Sequence, residues 1–120
     1  MAKSILLVED SPTEMRVMSD LLHSLGHTVM TATDGEQALT MLELVTPDLV
    51  VLDIILPAVN GYMVLRKMRQ RPAWKDIPVL VVSSKNLESD IFWGKKQGAN
   101  SYLCKPFARE DFLLQVNRLC

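Results

Sequence analysis

The residues able to do chemistry stand where apolar runs stop. Ser4–Val8 reads SILLV and gives way to Glu9 and Asp10, Asp48–Asp53 reads DLVVLD and closes on a carboxylate, and Ile77–Val82 reads IPVLVV before Ser83 and Ser84. HTVMTAT (27–33) ends at Thr33-Asp34, and Asn100–Cys104 gives way to Lys105 and Pro106. A single acid at a strand end only meets solvent. Glu9, Asp10 and Asp53 at one shared edge differ, because carboxylates that close repel and each disfavours ionisation of the others. A hard divalent cation relieves this, and an oxygen donor set that leaves room for water suits Mg²⁺. Lys105 supplies a cation that offsets the acids or holds an anionic group. Pro106 stiffens the turn behind it, in a cis or a trans form. Ser83 offers a hydroxyl that donates to an anion formed near Asp53, although its simpler use is to cap the next helix. An aspartate can act as nucleophile and form an acyl phosphate, with metal and lysine neutralising the transferring group. These residue types therefore support phosphoryl transfer to a carboxylate, in which the protein mostly positions.

Such positioning requires the strand ends to share an edge, and the order of the elements provides it. The near-continuous apolar runs suit strands buried on both faces, as in a parallel sheet. Between them lie amphipathic stretches. Ser11-Pro12-Thr13-Glu14 opens a helix as a capping box with proline at its first position. Met15, Met18, Leu22 and Leu25 follow at helical spacing, and Gly26 ends it. Thr33-x-x-Glu36 offers a second capping box for a helix to about Leu44, which Pro47 breaks. LPAVNG (56–61) is a loop, and Tyr62–Gln70 is a third helix, cationic toward its end. A fourth helix runs from about Glu88 to Gln97 and is closed by Gly98, and Arg109–Leu119 is the last. The pattern is βα five times: an α/β fold, a doubly wound five-stranded parallel sheet of flavodoxin-like type with helices on both faces. Such folds place their sites outside the carboxyl ends of the strands.

Composition narrows the functional classes. Thirteen Lys and Arg face fourteen Asp and Glu, a formal charge of -1, so there is no positive stripe for nucleic acid. Hydrophobic residues at 48% and charged residues at 22% describe a globular chain rather than a disordered one. No apolar run reaches the roughly 18 residues of a membrane span, and MAKSILLVED lacks a signal peptide's length and cleavage site. The expectation is a cytoplasmic protein with one domain over residues 1–120 and no membrane insertion. Cys104 and Cys120 make neither a disulfide framework nor a zinc cluster and read as free thiols.

Four fragments, VED (Val8–Asp10), DIILPAVNG (Asp53–Gly61), the hydroxyl at Ser83 and KPF (Lys105–Phe107), stand in order on the right strand ends. Together they resemble the receiver domain of bacterial two-component response regulators, the CheY-like fold, over the whole chain. The resemblance implies that Asp53 is the phosphoacceptor and that Glu9 and Asp10 bind Mg²⁺, with the Ile55 backbone carbonyl completing the protein's share of the metal shell. It implies that Ser83 is the switch hydroxyl, that Lys105 pairs with a phosphoryl oxygen, and that Tyr102 is the aromatic switch. Leu56, Asn60 and Ser84 depart from the commonest family residues without removing a reacting group. DSPTEM (Asp10–Met15) and DIFWGKKQGANSYLCKP (Asp90–Pro106) further resemble the PilH-type regulators of twitching motility, stand-alone receivers in a chemotaxis-like pathway controlling type IV pili.

The resemblance implies a stand-alone regulator rather than a turnover enzyme. A histidine kinase, in this pathway a CheA-like hybrid kinase, would supply the phosphoryl group. The signal would leave for a downstream protein through the face of the fourth helix, fifth strand and fifth helix, around Ile91, Phe92, Trp93, Lys95, Lys96 and Tyr102. Phe92 and Trp93 point about 100° apart on a helix, so at least one is expected at the surface. Ile55, two residues beyond Asp53, cannot orient water and is expected to shield an acyl phosphate, giving slow self-hydrolysis. Alternatives are a phosphate sink for a sister regulator and a receiver that signals by contact alone. A contact-only receiver would be expected to have lost Asp10, Asp53 or Lys105, and all are present. A Mg²⁺-dependent phosphatase of the haloacid dehalogenase type would need a second aspartate where Ile55 stands. A flavodoxin-like cofactor protein would need a phosphate loop where Glu9-Asp10-Ser11 stands.

Overall fold

A computed structural model describes residues 2–120. The strands are β1 (Ser4–Val8), β2 (Thr28–Ala32), β3 (Leu49–Leu52), β4 (Val79–Ser83) and β5 (Ser101–Cys104). They alternate with helices α1 (Pro12–Ser24), α2 (Gly35–Leu44), α3 (Gly61–Gln70), α4 (Glu88–Lys96) and α5 (Arg109–Leu119). All strands pair in parallel in one sheet of order β2-β1-β3-β4-β5. The chain moves outward from β1 to one edge, crosses to β3 on its other side, and continues to β5. The strand order therefore switches at β1/β3, where ligands of such sheets bind.

Alternation along the strands divides the core in two. Leu6, Val8, Val50, Leu52, Val79 and Val81 pack with α2 and α3 through Ala38, Leu42, Val64, Leu65 and Met68. Ile5, Leu7, Leu49, Val51, Leu80 and Val82 pack with α1 and α5 through Met18, Leu22, Phe112 and Val116. Every residue of β3 and β4 is buried, which explains their unbroken apolar sequences.

Local chemistry sets the ends of the elements and corrects some sequence expectations. Ser11 caps α1 as anticipated, its side chain accepting from the Glu14 N–H at 3.3 Å. The reciprocal half of that box is absent, because the Ser11 N–H donates instead to Glu9 at 3.1 Å. The cap of α2 is Asp34 rather than Thr33: Asp34 Oδ1 accepts from the Gln37 N–H, and Gln37 Oε1 accepts from both the Thr33 N–H and its hydroxyl. Gln37 thus takes the Thr33 N–H that was expected to go to Glu36, and the cap itself moves to Asp34. Asn60 caps α3 through the Met63 N–H at 3.0 Å. Gly61 then lets α3 start against the backbone that follows β3. A Cβ built there would lie 2.3 Å from the Asp53 carbonyl oxygen and 2.6 Å from the Ile54 Cα.

Candidate functional site

Parallel register brings the acids together. Val8 pairs with Leu52, so the next residues, Glu9 and Asp53, leave the sheet side by side. The Asp53 N–H donates to the Val8 carbonyl at 3.1 Å, and the Glu9 N–H to that of Ala32 at 3.0 Å. Glu9, Asp10 and Asp53 each present a carboxylate oxygen, all within 4.8 Å of one another. Glu9 and Asp53 are buried, and Asp10 is exposed. This is the hard-oxygen set expected for a divalent cation, with Asp10 on its open side.

Lys105 arrives from the far side of the sheet. Its N–H donates to the Ser83 carbonyl at 2.8 Å, which fixes the chain as it leaves β5. The side chain then crosses to the acids and is itself almost buried. Its Nζ donates to Glu9 Oε1 at 2.6 Å, to Asp53 Oδ2 at 2.9 Å and to Glu14 Oε2 at 3.0 Å. Burial opposes its charge, but the bonds to Glu9, Asp53 and Glu14 outweigh that and hold the ammonium above the ordinary lysine range. Burial pushes the Glu9 carboxyl up to about 7, against the pull of Lys105 and the Ser11 N–H and with help from the Asp53 charge. The other Asp53 oxygen, Oδ1, accepts from the Ile55 N–H at 2.9 Å. One carboxylate is thereby oriented from two sides. The same contact fixes the segment whose carbonyl the family resemblance assigns to the metal. The Ile55 side chain is half exposed. The Lys105–Pro106 peptide is cis.

Ser83 and Tyr102 continue the other pleat. Ser83 is fully buried, and its Oγ accepts from the Lys85 N–H at 3.2 Å in a turn at the exit of β4. Tyr102 is half-buried, and its hydroxyl donates to the Lys85 carbonyl at 2.8 Å. Burial pushes that phenol up to about 12. Both residues therefore address the segment between β4 and α4. Thr33 and Asp34 are taken up by the α2 cap, and Thr33 lines one groove with Glu9 and Asp10. Phe92 and Trp93 are both exposed.

One site residue escaped the sequence reading. Glu14 reads as half of a capping box, yet its carboxylate goes to Lys105. No sequence signal separates the two uses, since a carboxylate at the third helical position is equally a capping residue.

Fold and site together describe a CheY-like α/β domain with an acid cluster and a lysine at the carboxyl edge of its sheet. The family described as the response regulator receiver domain matches residues 5–117, and the chain belongs to that family. It is 39% identical over 113 residues to protein PilH of Pseudomonas aeruginosa, covering 94% of this chain and 93% of that one. The chemotaxis response regulator CheY4 of Vibrio cholerae superposes with a TM-score of 0.93 at 28% identity, both chains covered in full at 100%. The receiver domain of the sensor histidine kinase PA1611 from Pseudomonas aeruginosa superposes with a TM-score of 0.91 at 32% identity, covering 99% of this chain and 98% of that one. That structure has a magnesium ion coordinated in its active site cleft. The chain spans about half the length of the transcriptional regulators it also matches, for instance 49% of one from Bacillus subtilis. Among the described residues, no helix is long and apolar enough to cross a membrane, and Cys104 and Cys120 are free.

Proposed function

We propose that Asp53 accepts a phosphoryl group from a histidine kinase and that the resulting acyl phosphate changes the surface this domain presents. The observation that carries the reading is the buried Asp53, 2.9 Å from Lys105 and within a donor set that fits Mg²⁺. Glu9, Asp10 and Asp53, with the Ile55 carbonyl, would hold that ion, which when bound supplies charge neutralisation for the transferring group. The chain's own residues do the rest. The Ile55 N–H and Lys105 hold the Asp53 carboxylate in one orientation as an oxygen attacks phosphorus. A bond forms between Asp53 and phosphorus, and the bond to the donor's imidazole nitrogen breaks, the imidazole leaving as it gains a proton. Lys105 exchanges a carboxylate partner for a phosphoryl oxygen. Ser83 turns its hydroxyl toward the new anion, and Tyr102 follows it.

The reading is of a phosphoacceptor and not a turnover enzyme. The likeness to PilH supports a chemotaxis-like pathway for type IV pilus motility, with a CheA-like hybrid kinase as donor and the cytoplasm as location. Signal leaves for a downstream protein through the face of α4, β5 and α5, around Ile91, Phe92, Trp93, Lys95, Lys96 and Tyr102. Ile55 shields the acyl phosphate, so hydrolysis is slow and a partner sets its lifetime.

Intact mass after treatment with acetyl phosphate tests the site. The expected gain is one phosphoryl group, dependent on Mg²⁺ and absent from Asp53→Asn. An equal gain in Asp53→Asn would remove Asp53 from this role. Loss of phosphate from the purified protein within seconds would remove the shielding by Ile55.

A further inference from the structure

β2 is an edge of the sheet, and its hydrogen bonds show how much of that edge is free. The Thr28 N–H donates to the Lys3 carbonyl at 2.8 Å, and the Ala32 carbonyl accepts from the Glu9 N–H at 3.0 Å. Successive residues of a strand turn their backbone groups to alternate sides. Thr28, Met30 and Ala32 therefore address β1, and Val29 and Thr31 address the open side. The next outward donors are already used: the His27 N–H goes to the Leu22 carbonyl at 3.3 Å, and the Thr33 N–H to Gln37 Oε1 at 2.9 Å. Among the described residues, nothing meets the N–H or the carbonyl of Val29 or of Thr31.

This short edge carries nothing to keep another strand away. Residues 28–33 read TVMTAT, without charge, proline or glycine, whereas free edges are commonly blunted by lysine, proline or a bulge. On the α2 side, Gln37, Met41 and Leu44 recur at four and three residues and share a flank. Thr31 lines a groove there with Gln37, Thr40 and Met41, Met30 packs on the same side of the sheet as Met41, and Leu44 is 73% exposed. On the α1 side, Met15 and Ser19 line a groove with Thr33, where Arg16 and Asp20 are of opposite sign. The uncompensated acids stand at one end only. Asp34 and Glu36 follow the end of β2, whereas α2 runs back to the start of β2 and finishes in exposed Leu44 and Val45.

We infer that β2 pairs with β2 of a second copy, antiparallel about a two-fold axis at Met30, so that two sheets join into one. The edge is its own complement in this register. Val29 faces the copy's Thr31 and Thr31 the copy's Val29, and each facing pair exchanges two N–H···O bonds. Every free N–H and carbonyl of both edges is then satisfied. Met30 faces the copy's Met30 at the closer, non-hydrogen-bonded spacing, with Met41 and Leu44 of both copies beside it. Charge selects the same orientation. A parallel pairing would bring Asp34 and Glu36 of the two copies together, whereas the antiparallel one sets the acids of each copy against the Leu44 end of the other. The contact is isologous and uses up the free edge of both strands, so assembly closes at two. Asp53, α4 and β5 take no part in it, so the dimer forms without a phosphoryl group.

Sedimentation velocity of the full chain without phosphodonor, over a wide range of concentration, tests the pairing. The expected result is a reversible monomer–dimer equilibrium with no larger species, and Asp53→Asn should behave as the wild type does. Thr31→Pro removes an N–H that the monomer leaves free, in an edge strand where proline is tolerated. It takes away two of the four bonds and should weaken dimerisation at least about tenfold. Leu44→Glu changes a side chain exposed in the monomer and should also weaken it, which keeps the test decisive if the proline variant does not fold. Met30→Cys marks the register: under mild oxidation it should form a disulfide with the same position of the copy, read by peptide mapping. A monomer at every concentration overturns the proposal, as does a dimer that both Thr31→Pro and Leu44→Glu leave unchanged. So do cross-linking only through Cys104 or Cys120, assembly beyond two, and a dimer that appears only on phosphorylation. Failure here leaves the phosphorylation chemistry standing, since intact mass reads that separately.

Discussion

A lysine bonded to three carboxylates is an unusual use of one ammonium, and it explains how Glu9 can be buried at all. An isolated buried carboxylate would be too costly to retain. Here it is bonded to Lys105 and to the Ser11 N–H and still sits at about 7 because burial dominates. A folded-state value above the ordinary 4.5 means that the folded protein binds the Glu9 proton more tightly than the unfolded chain does. This contribution to stability is complete below about 4.5 and is lost as pH rises through about 7. A cation at Glu9 must displace the same proton. Mg²⁺ affinity should therefore rise about tenfold from pH 6 to pH 8, most of it below pH 7, and Glu9→Gln should flatten that dependence while weakening binding. Calorimetric titration at several pH values checks it, and an affinity unchanged with pH in the wild type would contradict the Glu9 assignment. Glu9, Asp10, Asp53 and Lys105 were legible in the sequence because each interrupts an apolar run. Glu14 was not, because a helix-capping residue and a lysine ligand look alike until the fold shows which way the first turn faces.

The elements were legible to within a residue or two, and the misses have local causes. Ser83 belongs to β4 although it is polar, because its carbonyl accepts the Lys105 N–H and its side chain turns back to Lys85. Asp48 and Asp53 flank β3: the N–H of each still donates to a β1 carbonyl, Ser4 and Val8, while their side chains turn to the Ser4 and Ile55 N–H groups. Neither contact has a signature in hydrophobic periodicity. Gly61 shows the same point with a testable consequence. Its place reads as ordinary loop chemistry, yet a Cβ there would strike the Asp53 carbonyl. Alanine normally favours a helix over glycine by about 1 kcal/mol, so a loss at this position must come from the clash. Gly61→Ala should destabilise the domain by about 2–4 kcal/mol and slow phosphorylation by displacing Asp53. Gly26→Ala is the control: Gly26 has φ of 85° but nothing within 4 Å of its Cβ, so only the backbone penalty of about 1 kcal/mol applies. Urea unfolding of both variants separates the two causes, and equal losses would mean that the close approach at Gly61 is unimportant.

At the scale of the molecule, Lys105 joins parts that are distant in sequence. Leaving β5, it passes the end of β4 and bonds groups that follow β1 and β3 and one in α1. The functional edge is thus also a point of structural closure, and removing the ammonium should cost stability as well as signalling. Lys105→Ala leaves Glu9 and Asp53 buried with their compensating charge gone, a loss of about 3 kcal/mol or more by the usual measure of a broken buried pair. The loss should not be constant. At pH 5 Glu9 is protonated and has little charge to compensate, so the variant should approach the wild type. At pH 8 Glu9 must either ionise without its partner or take up a proton at a cost, so the gap should widen. A divalent cation offers the carboxylates another counter-charge, and Mg²⁺ should raise the melting temperature of Lys105→Ala by more than that of the wild type. Thermal unfolding at both pH values, with chelator and then with Mg²⁺, gives all four comparisons. A deficit equal at pH 5 and pH 8 and indifferent to Mg²⁺ would mean that Lys105 contributes by packing alone. A deficit that grows with pH and shrinks with the ion would mean that one balance of charge holds the sheet edge closed and readies Asp53 to react.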